Sequence, residues 1–105
     1  MKTKNKQKDK FNELVDSIIQ LAKANQQLAL QAVTQYAPIV EDIINSKSTD
    51  YKQIENTLDY MLDFCFEDKM LQLYKKLCQY YNIIDPIATS EYILTFREMW
   101  NNEDE

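Results

Sequence analysis

Not one of the 105 residues is glycine. An average chain would carry about 7%. Glycine is the residue that takes positive φ without strain, so tight hairpin turns, phosphate-cradling loops and strand bulges lean on it. A chain without it, and with only two prolines, is directed toward helices joined by short polar connections. The P-loop and the dinucleotide-binding fingerprint are excluded outright, because both are spelled in glycine.

Histidine is absent as well. Ser-His-Asp and Cys-His catalysis therefore fall away, as does every metal site that uses imidazole. The carboxylate-bridged di-iron bundle in its usual form needs Glu-x-x-His pairs and falls with them. Two thiols remain, Cys65 and Cys78. Both lie on apolar helical positions and read as reduced core residues. Cys65 sits near the expected end of a helix and beside acids, a setting that raises a thiol pKa and disfavours a nucleophile. No cofactor and no metal is expected, and the expected protein is not an enzyme.

A hydrophobic content of 45% supports a real core without a disulfide or metal staple. The charge is unevenly placed. Residues 1–10 carry a net +4, and residues 11–105 carry a net −9. An acidic body with a basic tail favours basic partners and disfavours sequence-independent nucleic-acid binding. The charged start MKTKNKQKDK is followed by no apolar leader core, and no apolar run nears the roughly 18 residues of a membrane span. The expected setting is the cytoplasm, with no membrane partner.

The hydrophobic period then places five helices in a compact all-α domain over residues 10–101. Residues 1–9 lack apolar side chains after Met1 and are expected to be a disordered basic tail. The first helix, 10–24, carries a stripe of Phe11, Leu14, Val15, Ile18, Leu21 and Ala22. The second, 26–45, carries Ala29, Ala32, Val33, Tyr36, Val40 and Ile43, and bends at Pro38. The apolar phase runs on through Asn25, and LAKANQQLALQAV contains no breaker. An unbroken helix over 10–45 would nevertheless span about 54 Å, long for a compact domain, so a break is expected near Asn25. Asp50-x-x-Gln53 is close to a capping box and opens a third helix, 50–66. A fourth, 68–81, turns Met70, Leu71, Tyr74, Leu77, Cys78 and Tyr81 inward. Asp85-Pro86 is a cap followed by proline at the first helical position, and the fifth helix, 86–100, has an inner stripe of Thr89, Ile93, Phe96 and Trp100. Residues 102–105 form an acidic tail.

The third helix has two apolar faces. Tyr51, Ile54, Leu58, Met61, Leu62 and Cys65 share one. Tyr60 and Phe64 lie four apart on roughly the other. Glu55, Asp59, Asp63 and Glu67 climb the flank between them at i,i+4 spacing. Like charges at that spacing disfavour a helix by roughly 0.2–0.5 kcal/mol per pair. The ladder reads either as a solvated face or as a docking surface for a basic partner. A divalent cation site is the weaker alternative, since one straight face splays its carboxylates. Tyr60 and Phe64 read either as buried in a central helix or as an aromatic patch for a partner or a second copy. The expected function is a non-enzymatic interaction or regulatory role through Glu55, Asp59, Tyr60, Asp63, Phe64 and Glu67. The alternatives are an acidic decoy that fills a nucleic-acid-binding site on another protein, and a nucleic-acid binder that uses the N-terminal lysines.

Overall fold

The structure, a computed structural model, describes residues 2–100, with side chains from residue 9 onward. It contains four helices, not five: α1 Lys2–Asn45, α2 Tyr51–Leu62, α3 Asp68–Ile84 and α4 Pro86–Trp100. No strand occurs among the described residues.

The expected break near Asn25 does not form. Residues 22–35 are almost all Ala, Gln, Leu and other good helix formers, with no residue to stop the helix. Local propensity prevails over compactness, and α1 runs unbroken for 44 residues. It also runs through Pro38. That proline lies on the exposed side, where water can reach the Thr34 carbonyl that loses its partner. The Thr34 hydroxyl itself donates to the Leu30 carbonyl at 3.2 Å. At the other end, the backbone is already helical at Lys2. The expected acidic tail at 102–105 lies outside the described residues.

Helix α1 stops in a left-handed turn. Lys47 has φ 53°, its N–H donates to the Ile44 carbonyl, and the Ser48 N–H reaches back to Ile43, each at 3.1 Å. This is the Schellman arrangement, made here with lysine where most chains use glycine. Asp50 then caps α2 by accepting from the Gln53 N–H at 3.2 Å. The helix ends at Leu62, four residues before the expected end. Residues 63–66 form a turn, tightened by the Phe64 N–H to Met61 and the Cys65 N–H to Leu62. Glu67 caps α3, its carboxylate accepting from the Lys69 N–H at 3.1 Å. Asp85 caps α4 through the Ala88 N–H at 3.0 Å.

The core lies between the second half of α1 and helices α2 and α3. Val40 and Ile43 of α1 meet Ile54, Leu58 and Met61 of α2 and Met70, Leu77 and Tyr81 of α3, all fully buried. Tyr51, expected on that inner face, is exposed. The α3 stripe lies where its periodicity puts it, with only Leu71 at the half-buried edge. Helix α4 covers α3 from the outside and buries one residue fully, Thr89. Thr89 and Phe96 of the expected stripe face inward, Tyr92 takes the inner place expected for Ile93, which is 48% exposed, and Trp100 lies at the edge.

Hydroxyl and indole groups tie the layers together. The Tyr74 hydroxyl donates to the Tyr92 carbonyl at 3.0 Å, Tyr80 to Ser48 at 2.6 Å, and the Trp100 indole N–H to Leu62 at 2.9 Å. The Lys76 ammonium pairs with Glu41 between α3 and α1.

The expected compact shape is also corrected. The radius of gyration is 19.1 Å and the extents are 67 × 32 × 19 Å. A compact domain of about 100 residues has a radius near 13 Å. The long dimension is α1 itself, about 66 Å at 1.5 Å per residue.

Candidate interaction surface

The carboxylate ladder separates into two pairs. Glu55 is half-buried, and its Oε2 accepts the Tyr81 hydroxyl at 2.5 Å. Its backbone carbonyl accepts the Tyr92 hydroxyl at 3.4 Å. Burial, helped by the Glu55 carboxylate, pushes the Tyr81 phenol well above its ordinary value. Burial does the same to Tyr92, with Asp59 beside it. Glu67 is buried as the cap of α3. These two acids hold helices in place. Asp59 and Asp63 face solvent.

The aromatic pair separates too. Tyr60 is 63% exposed, and its ring stacks on Tyr36 of α1 with centroids 6.3 Å apart. Phe64 is half-buried against the core. Because α2 has already ended, the i,i+4 relation assumed between the two does not apply. Of the six residues singled out, Asp59, Tyr60 and Asp63 are exposed, Asp59 beside Tyr92 of α4 and Tyr60 against Tyr36 of α1.

Cys65 and Cys78 are free and buried. Burial, then the neighbouring Cys78 and Asp63, pushes the Cys65 thiol up to about 12. Burial raises Cys78 to about 11, against a hydrogen bond with Tyr74 that lowers it. Both are therefore thiols, not thiolates, at neutral pH. Among the described residues no three Cys, Asp or Glu side chains are grouped to hold a metal ion, and no helix is long and apolar enough to cross a membrane. A groove of about 450 Å³ runs between α3 and α4 over Leu71, Tyr74, Ile93 and Phe96. Its only charged lining residues are Lys75 and Arg97, so no acid faces a base across it.

The chain matches no family model, no curated protein and no solved structure.

The largest uncovered feature is one that the hydrophobic pattern had assigned to the core. Phe11, Leu14, Ile18 and Leu21 are each between 62% and 65% exposed, and Leu28 is 53% exposed. At 100° per residue they share the face that holds Ala29, Ala32, Val40 and Ile43 farther along α1. Those later residues are buried, and Ala32, Val40 and Ile43 among them pack in the core with α2 and α3. One stripe thus runs along α1 from Phe11 to Ile43, bare as far as Leu28 and covered from Ala29 on. The signal was present in the sequence as an apolar phase that does not slip at Asn25. With roughly 150–200 Å² for a large side chain, residues 11–28 lay open roughly 450–600 Å² of apolar surface, within the patch sizes monomers expose.

Proposed function

We propose that the protein is a non-enzymatic interaction protein whose docking element is the projecting half of α1. The single observation that supports this is the bare stripe on residues 11–28. Burying a large apolar side chain contributes about 1.5–3 kcal/mol, so leaving five in water is costly unless a partner covers them. The partner presents an apolar helical face of its own. The body, in this reading, is a platform that holds the arm straight and sets where it begins.

The test is affinity capture from the source cells with two baits, the full chain and its Ile18→Glu/Leu21→Glu variant. The expected result is a protein, which includes the chain itself, held by the first bait and lost from the second. Identical retention on both baits would remove the arm from the function.

A second reading rests on Tyr60, held by its stack on Tyr36 and bordered by exposed Asp59 and Asp63. It is a docking surface for a basic partner. Salt separates the two readings, because exposed charge pairs are screened within about 10 Å at 0.1 M, whereas apolar burial is not. Capture that survives high salt and needs Ile18 and Leu21 belongs to the arm. Capture lost in salt and on Tyr60→Ala belongs to α2.

A further inference from the structure

The groove between α3 and α4 has a floor of carbon. Leu71, Tyr74, Cys78 and Phe96 line it, with the half-exposed Ile93 as its outer wall. The polar atoms of that floor are already engaged. The Tyr74 hydroxyl donates to the Tyr92 carbonyl at 3.0 Å, the Thr89 hydroxyl donates to the Asp85 carbonyl at 2.8 Å, and Cys78 is hydrogen-bonded with Tyr74. What the floor leaves for an occupant is contact with hydrocarbon. The volume of about 450 Å³ lies within the range of small-molecule sites, which are mostly apolar with a few placed polar groups.

The two cations of the lining stand at one level of the groove. Lys75 and Arg97 directly follow Tyr74 and Phe96, whose rings lie 6.0 Å apart. From that level the groove continues toward the bend at Asp85 past Cys78, Ile93 and Asn82, and only Leu71 lies on the other side. Lys75 to Asn82 is about 10 Å along the helix axis, the length of about eight carbons of an extended chain.

Neither cation is matched within its own helix. No acid stands three or four residues before or after Lys75 or Arg97, where a helical ion pair forms. Among the described residues the ion pair is that of Lys76 with Glu41. Arg97 lies in the last turn of α4, a favourable place against the helix dipole. Lys75, in the middle of α3, has no such reason. Residues 11–105 carry a net −9, yet the one charge sign in this groove is positive. Two cations at one level of an apolar groove match an anionic head on an apolar tail, and a guanidinium suits a carboxylate through two parallel N–H donors.

We propose that the α3–α4 groove binds a single-chain aliphatic carboxylate of medium length, its head at Lys75 and Arg97 and its tail directed toward Asp85. This is a role separate from the docking of α1. Calorimetric titration of the full chain with decanoate, below the concentration at which it forms micelles, measures the affinity, and backbone amide shifts locate the ligand. Octanoate, 1-decanol and the Lys75→Gln/Arg97→Gln variant, altered only at exposed positions, complete the series. The expected result is saturable binding of decanoate with the shifted amides in α3 and α4. Each methylene removed should weaken it roughly two- to fourfold. The double variant should fold as the wild type does, bind decanoate about fivefold or more weakly, and bind 1-decanol as the wild type does. A wild type that shows no saturable binding would overturn the proposal, as would undiminished affinity for decanoate in the double variant. Amide shifts confined to residues 11–28 would also overturn it, because the amphiphile would then be on the bare stripe of α1.

Discussion

Lys47 occupies a backbone conformation that favours a residue without a Cβ. Its left-handed φ of 53° costs a non-glycine residue roughly 1 kcal/mol or more, part of which glycine would return as unfolded-chain entropy. Lys47→Gly is expected to raise the unfolding free energy by about 0.5–1 kcal/mol, read as a higher urea midpoint. Tyr81→Phe acts in the other direction. It leaves the half-buried Glu55 carboxylate without its hydroxyl and should cost about 1–3 kcal/mol. Stability should also fall on the alkaline side. Cys65 and Cys78 are held protonated in the fold, up to about 12 and about 11 against an ordinary 9.0. The unfolded chain therefore loses these protons first. Their contribution is whole below pH 9 and is lost as pH rises toward the folded values. Buried Tyr74, Tyr81 and Tyr92 add to the fall above their ordinary 10.0. Denaturant midpoints measured from pH 8 to pH 11 check this, and a Cys65→Ala/Cys78→Ala chain should show a shallower decline between 9 and 10. The capping roles of Asp50 and Asp85 were legible in the sequence, because a cap is decided within three or four residues. The roles of Glu55 and Tyr81 were not. They are 26 residues apart, and nothing local marks them as partners.

Among the elements, α3 and the start of α4 were readable because one clean period and one cap define each. Helix α2 ends four residues before its apolar period predicts. Its apolar period continues to Cys65, but the chain must turn early to place Met70 and Tyr74 on the core. The two-helix reading of residues 10–45 failed for a different reason. The sequence contains no breaker there, and the break was expected only from the assumption of a compact shape. Pro38 is the one residue in α1 that opposes the helix, and it does so from the exposed side. Pro38→Ala restores a donor to the Thr34 carbonyl and should stabilise the chain by up to ~3 kcal/mol, visible as a higher melting temperature. A lower one would mean that the shape of α1 at Pro38 is needed to seat Val40 and Ile43 in the core.

At the scale of the whole molecule, a body made of the second half of α1, α2 and α3, with α4 outside them, holds a helical rod that continues well past it. In proteins most helical stability comes from burying an apolar face and little from propensity alone. Residues 11–28 have such a face, and no described residue of their own chain covers it. The account therefore depends on whether a partner covers that face, and amide hydrogen exchange across residues 11–28, measured on the full chain together with the protein it captures, answers this most directly. It predicts slow exchange there in the wild type, approaching that of α3, and fast exchange in Ile18→Glu/Leu21→Glu while the body remains protected. Equally fast exchange of the arm in both proteins would contradict it.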